Sequence, residues 1–200
     1  LFVLAPQHAA AQSERHAALL RLDSAIHPVS GRFFARGLEK AAAGGAQFVV
    51  VQLDTPGGLL DTTQDMVTAI MESPIPVVVH VTPPGSWAAS AGTFILAAAH
   101  VAAMSPATTV GAASPVGAGG EDLPDTLKSK ATKFASAELR GIADQRGRNA
   151  DALEKTVLES AAYTESEALE LGIIDLVAQD LDDLLAQLDG MTVALVGGQV

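Results

Sequence analysis

The sequence predicts an α/β domain with a mainly parallel sheet and helices flanking it. Three observations predict this. The runs Phe-Val-Val-Val-Gln-Leu at 48–53 and Val-Val-Val-His-Val at 77–81 are apolar at almost every position, as strands buried on both faces are. Each run leads through a Gly- or Pro-rich cluster into a segment of helical or small-residue character, and this alternation implies βαβ crossovers. The chain has 200 residues, 48% of them hydrophobic, which is enough for one substantial core and not comfortably two.

The elements follow in order. Residues 18–26 are apolar-rich and predict a first strand. Ser30-Gly31 predicts a turn, and 32–43 a helix closed by Gly44-Gly45. The strand at 48–53 ends in Asp54-Thr55-Pro56-Gly57-Gly58, and residues 59–71 have helical spacing up to Pro74 and Pro76. The strand at 77–81 is followed by Pro83-Pro84-Gly85 and then by a small-residue run at 88–99 with helical character. A third core strand is expected at 101–104. Residues 105–125 are rich in Gly, Pro, Ala, Thr and Ser and predict a long loop, with residues 105 to about 128 expected to be mobile without substrate and to order on binding it. Helices are expected at 127–146 and 150–160, separated by Gly147-Arg148-Asn149. Thr164-Glu165-Ser166-Glu167 is a capping box for a short helix that stops at Gly172. A strand at 173–177, a helix at 181–188 and an extended segment at 191–200 complete the chain.

The formal net charge of -11, with no basic stripe, argues against nucleic acid as a partner. The absence of cysteine excludes thiol catalysis and thiolate metal sites. No clustered ligand set suggests a metal, and no glycine motif after a strand suggests a nucleotide, so no cofactor is expected. The apolar start Leu1–Leu4 with Ala9-Ala10-Ala11-Gln12 reads as a signal-peptide remnant over 1–12. The main domain is then 13–190, and 191–200 begins a truncated C-terminal segment. No uninterrupted apolar stretch reaches the roughly 18 residues of a membrane span, so membrane attachment would come from segments outside this chain.

Two turn clusters carry the candidate chemistry. Asp54–Gly58 and the run Ser86-Trp87-Ala88-Ala89-Ser90-Ala91-Gly92-Thr93 both lie where a parallel sheet ends its strands, the usual place for a site in open α/β folds. Gly57 and Gly58 allow close backbone approach. Ser90 falls at a helix start, whose N–H groups favour a developing oxyanion. The plain alternative is that Ser90 caps a helix and the glycines only turn the chain. A nucleophilic serine needs a base. His8, His16 and His27 lie in the N-terminal region, His80 within a core strand and His100 at the far end of the helix after Ser90, and none is well placed. A lysine serves where burial lowers its pKa, and Lys128, Lys130 and Lys133 cluster after the loop.

These landmarks, with Leu53 before the first cluster, Gly147-Arg148-Asn149, and Glu167 to Asp175, resemble the N-terminal protease domain of the NfeD family of membrane-bound ClpP-class serine proteases. The resemblance covers about residues 23–190. It implies a ClpP/crotonase-like fold and a Ser–Lys dyad. The family's serine matches Ser90, and its lysine lands on Lys130, with Lys128 and Lys133 as alternatives. The oxyanion hole corresponds to the Gly58 and Ala91 N–H groups, and Gly57 and Trp87 border the substrate. Trp87 departs from the small residues usual there and would narrow the groove. The resemblance further implies hydrolysis of apolar peptide segments, a stomatin-type membrane partner as substrate, a homodimer, and a full-length protein anchored in the membrane with this domain on the extracytoplasmic side. Two other readings use the same residues: a crotonase-like acyl-CoA enzyme, and a non-catalytic scaffold for a membrane partner.

Overall fold

The computed structural model describes residues 16–117, 119–195 and 198–199. Its first elements are β1 (Ala18–Leu22), α1 (Pro28–Ala43), β2 (Val49–Leu53), α2 (Leu60–Met71), β3 (Val77–Val81), β4 (Trp87–Ala89), α3 (Ala91–Ala98), β5 (Val101–Met104) and β6 (Thr109–Gly111). Then come α4 (Asp125–Arg146), α5 (Ala150–Leu158), β7 (Ala162–Thr164), α6 (Glu165–Glu170), β8 (Leu176–Val177), α7 (Leu181–Leu188), β9 (Ala194–Leu195) and β10 (Gly198–Gln199). The signal-peptide reading of 1–12 falls outside the described residues.

The main sheet has the order β1-β2-β3-β5-β8, and all its pairings are parallel. Its side chains alternate between two cores. Val49, Val51, Leu53, Val77, Val79 and Val81 join Phe34 of α1, Met66 of α2, Ile95 of α3 and Leu139 of α4. Val50, Val78 and Val101 turn the other way and meet Leu184 of α7. The two apolar runs at 48–53 and 77–81 are therefore buried on both faces, as their composition predicted. A second sheet, β4-β6-β7, pairs β4 with β6 in parallel and β6 with β7 antiparallel. It joins the main sheet's end through a bridge between Thr55 and Ala88.

Several expected boundaries move. The turn at Ser30-Gly31 is instead the first turn of α1. His27 is the N-cap: its Nδ1 accepts from the Val29 and Ser30 N–H groups, and Ser30 Oγ accepts the His27 N–H at 2.9 Å. Gly31 is needed not for a turn but for contact, since a β-carbon there would lie 2.6 Å from Thr62 Cγ2 of α2. The first strand ends at Leu22, and Ile26 forms a bridge with Gly58. The run at 88–99 is split into β4 and α3 by Ser90. Part of the expected loop at 105–125 is ordered as β6, with Val110 buried against β7. Of the strand expected at 173–177 only Leu176–Val177 pairs, because the N–H groups of Ile173 and Ile174 both turn back to Ala168 O. The capping box is present, with Glu167 Oε2 accepting the Thr164 N–H at 2.8 Å. Within 191–200, β9 and β10 pair antiparallel.

Gly147-Arg148-Asn149 does more than break a helix. Gly147 takes a left-handed conformation at φ 69° and closes α4, and Asn149 caps α5. Arg148 is buried and donates to Ala97 O, Ala99 O and Ile173 O and to Asp175 Oδ2. It ties the end of α3 to the turn before β8.

Candidate active site

The first half of the site grows from β2. After Leu53 the chain runs alongside β4: the Thr55 N–H donates to Trp87 O at 2.8 Å, and Thr55 O accepts the Ala89 N–H at 3.1 Å. Thr55 is fully buried, and its Oγ1 accepts the Gly57 N–H at 3.2 Å. Gly57 has φ 118°, and a β-carbon there would lie 2.7 Å from Ser90 Cβ and 3.2 Å from Ser90 Oγ. Only glycine allows this contact, which brings the two predicted clusters together. A β-carbon on Gly58 would lie 2.0 Å from Ile26 O. The Ile26 N–H donates to Gly57 O and the Leu59 N–H to Ile26 O, leaving the Gly58 N–H without a bond among the described residues.

Ser90 stands between β4 and α3 at φ 51° and ψ -112°. A non-glycine residue at positive φ costs on the order of 1–3 kcal/mol and persists only where its surroundings fix it. Here the Ser90 N–H donates to Gly111 O at 2.9 Å. Its hydroxyl makes no capping bond and no other hydrogen bond with the described residues. Ser90 therefore holds the N-cap position of α3 without capping the helix through its side chain. The next residue, Ala91, opens α3, where a backbone N–H has no helical carbonyl to bind. Ser86, the other serine of the run, is buried.

The histidines are placed elsewhere. His27 caps α1. His80 is fully buried, with Nε2 2.9 Å from Ser105 Oγ and 3.2 Å from Ala178 O; burial lowers its pKa. His100 sits past the end of α3, its Nδ1 accepting the Val77 N–H, and burial with the nearby Arg146 lowers its pKa to about 4.

The lysines lie on the first half of α4. The second half is anchored: Ala135, Ser136, Leu139, Ile142 and Ala143 are buried, Glu138 Oε2 accepts from Gln64 of α2 at 3.5 Å, and Arg146 Nε donates to Ala98 O. No residue from 125 to 134 is buried. Lys128 forms an exposed pair with Asp122 at 3.1 Å. Lys130 and Lys133 are exposed and make no hydrogen bond or ion pair with the described residues. Near Lys130 in sequence, Ala135 is buried, but Phe134 is 57% exposed. Leu127, Lys130, Ala131 and Phe134 share one stripe of the helix by their spacing. Lys130 stands two turns, roughly 12 Å of helix, before the Gln64–Glu138 contact.

Trp87 is 51% exposed, and its N–H donates to Asp54 Oδ1. A polar groove of about 370 Å³, lined by Arg21, Asp23, Gln52, Asp54, Thr82 and Pro83, lies at the ends of β1 to β3. It includes neither Ser90 nor the two glycines.

The close approach of Gly57 to Ser90 brings the two predicted clusters together at a strand-to-helix turn. The family model for the NfeD1b N-terminal domain matches residues 19–196. This chain belongs to the NfeD1b family. It is 37% identical over 159 residues to the membrane-bound protease PH1510 of Pyrococcus horikoshii, covering 79% of this chain and 36% of that protein. The NfeD1b domain thus spans about a third of that relative's length. Among solved structures it superposes on a lysine-to-alanine mutant of the 1510-N membrane-bound stomatin-specific protease in complex with a substrate peptide. The TM-score is 0.87 at 32% identity, over 94% of this chain and 87% of that one. A serine-to-alanine mutant of the same protease matches with a TM-score of 0.83 at 32% identity, over 90% and 87%. ClpP1 from Listeria monocytogenes, at 18% identity and a TM-score of 0.66 over 83% of this chain and 94% of its own, shares the fold. The NfeD1b domain therefore has a ClpP-like α/β fold. None of its described helices is long and apolar enough to cross a membrane.

Proposed function

We propose that this NfeD1b domain is a serine endopeptidase with Ser90 as nucleophile and Lys130 as general base. The observation that carries this reading is the contact of Gly57 with a strained Ser90 whose hydroxyl is left unbound. Neutral Lys130 takes the Ser90 proton as Oγ attacks the scissile carbonyl. The N–H groups of Gly58 and Ala91, one unbonded and the other at a helix start, stabilise the oxyanion, each worth roughly 2.7–4 kcal/mol if typical. The lysine ammonium then protonates the leaving amine, and water releases the acyl group with Lys130 again as base. Gly57 and Trp87 border an extended apolar peptide that pairs with the Gly-Gly segment as an added strand.

The choice of Lys130 rests on spacing. The serine and the lysine replaced in the two mutants of the relative are separated by one position more than Ser90 and Lys130, and Lys128 and Lys133 fit that separation less closely. A lysine amine in water holds its proton at neutral pH. The bound peptide, or the second copy of a homodimer, must therefore cover the Leu127–Phe134 stripe for Lys130 to act. The relative acts on a stomatin and is membrane-bound. By that likeness the substrate here is the apolar segment of a stomatin-type protein. The domain over 13–190 stands on the extracytoplasmic side of a membrane-anchored protein.

Incubation with a fluorophosphonate, followed by peptide mapping, tests the nucleophile. Ser90 should be labelled, and Ser90→Ala should lose cleavage of an apolar peptide by at least about 10⁴-fold while keeping its fold. Cleavage retained within a few-fold by Ser90→Ala sinks the assignment and makes the scaffold reading the better one.

A further inference from the structure

Thr93 is fully buried, lies in the first turn of α3 and cannot touch a substrate. Its Oγ1 is 3.0 Å from Ala88 O and 3.1 Å from Gly111 O. These two carbonyls flank Ser90 from different strands. Ala88 lies in β4, just before the turn that carries the serine. Gly111 O, at the end of β6, is the same atom that accepts the Ser90 N–H at 2.9 Å. The Thr93 N–H also donates to Ser90 O at 3.0 Å. The hydroxyl has one proton for two carbonyls and therefore shares it or alternates. Either way it closes a ring through α3, β4 and β6 around the one backbone position held at φ 51° and ψ -112°. A helix needs none of this: a threonine hydroxyl in a helix ordinarily turns to a carbonyl of its own preceding turn.

We propose that Thr93 is the positioning residue of the nucleophile: its hydroxyl clamps β4 to β6 and so holds Ser90 Oγ, against backbone strain, where it faces Gly57 and the scissile carbonyl. This rests on the reading of Ser90 as nucleophile. Loss of the clamp lets the Ser90 turn relax and moves Oγ off its line of attack, while the peptide-binding segments at Gly57, Gly58 and Trp87 remain. The effect therefore falls on acylation and not on peptide affinity.

The test compares Thr93→Val, which keeps the volume and removes the hydroxyl, with Thr93→Ser, which keeps the hydroxyl. Wild-type, Ser90→Ala and both variants are assayed for peptide cleavage, for the rate of fluorophosphonate labelling and for thermal unfolding. Thr93→Val should lose ten-fold or more in kcat and in labelling rate with KM within about three-fold, and Thr93→Ser should stay within three-fold of wild type in all of these. Thr93→Ala is read in the same way as the valine should that variant fail to fold. The proposal is overturned if the folded hydroxyl-free variant keeps its labelling rate, if its loss appears in KM alone, or if Thr93→Ser is as impaired as Thr93→Val. Absence of labelling in the wild type, together with activity in Ser90→Ala, would overturn the nucleophile reading and the clamp with it. Labelled wild type with an unaffected Thr93→Val overturns the clamp alone.

Discussion

The segment that carries Ser90 and the segment that carries Lys130 are built in opposite ways. From Ala88 to Ala98 no residue is exposed; all eight residues of α3 are buried, and the Ser90 turn is tied to Thr55, β6 and α3 by hydrogen bonds. From 125 to 134 no residue of α4 is buried, and the only ion pair there among the described residues is the exposed Lys128–Asp122 contact. An exposed pair of this kind contributes about 0–1 kcal/mol. One half of the proposed dyad is thus fixed by the fold of a single chain. The other half is presented on an unsupported helix end. The difference gives each half a distinct mutational signature, with stability and activity coupled in the first and separate in the second.

The largest effect expected from breaking the comparison is on the exposed side. Lys130→Ala should lower kcat by about 10²–10⁴, the usual worth of a general base. It should change folding stability by no more than about 0.5 kcal/mol, because the side chain is exposed and makes no hydrogen bond or ion pair with the described residues. Lys128→Ala and Lys133→Ala should be mild in both respects. Peptide cleavage and chemical denaturation of all three variants measure this. If Lys133→Ala is dead and Lys130→Ala active, the base lies about one turn further along the same helix. If all three cleave normally, the Ser–Lys mechanism is wrong for this domain.

On the packed side the two readouts should move together. Gly57→Ala places a β-carbon 2.7 Å from Ser90 Cβ and forces alanine to φ 118°, so either Gly57 or the serine turn must shift. We expect a loss of stability of roughly 1–3 kcal/mol and a fall in cleavage of more than ten-fold. A variant as stable and as active as wild type would show that the serine turn is not held by this contact.

The same contrast explains what could be read from the sequence. Long-range packing of the main sheet was legible because residues 48–53 and 77–81 are apolar at nearly every position and rich in valine, and such short runs favour a buried strand. Ser90, Gly57 and Gly58 were legible as a pair because both clusters follow core strands. The strain at Ser90 was not, since alanine, serine and glycine from 88 to 92 have the composition of a helix, and only the pairing of β4 with Thr55 and β6 cuts it. β6 and β7 were missed because each is only three residues long. At Ser30-Gly31 the turn chemistry was right and its use was wrong: Ser30 closes a capping box with His27, a histidine in a role usually filled by Ser, Asp or Asn. The contacts of Thr93 and Arg148 carried no local signal, because their partners are carbonyls brought in from distant strands and turns. The surroundings of Lys130 were not legible either, since apolar neighbours in sequence do not ensure burial when the helix end has nothing packed on it.

The smallest expected effect sharpens the comparison at the far end of α3, where it meets the foot of α4. There burial, reinforced by the Arg146 charge, lowers the pKa of His100 to about 4 from an ordinary value of 6.5. Between these values the unfolded chain binds more protons than the folded one. The stabilisation is therefore complete above pH about 6.5 and is lost as the pH falls towards 4. Because His100 is only partly shielded from solvent, its share is roughly 1–2 kcal/mol. His80, also lowered by burial, adds a slope of its own, so the informative quantity is a difference between proteins. His100→Asn places a side-chain oxygen where Nδ1 accepts the Val77 N–H and does not titrate. Denaturation midpoints from pH 7 to 4 should fall less steeply in His100→Asn than in wild type, with similar stability at pH 7. Hydrogen exchange adds the location. Acidification should speed exchange of the amides of α3 in wild type more than in the variant. The amides of 125–134, which no buried group anchors, should differ little between the two proteins. Equal pH slopes would mean that the packed half does not depend on a neutral His100, and that its rigidity is set by the hydrogen bonds of Arg148 and Thr93 alone.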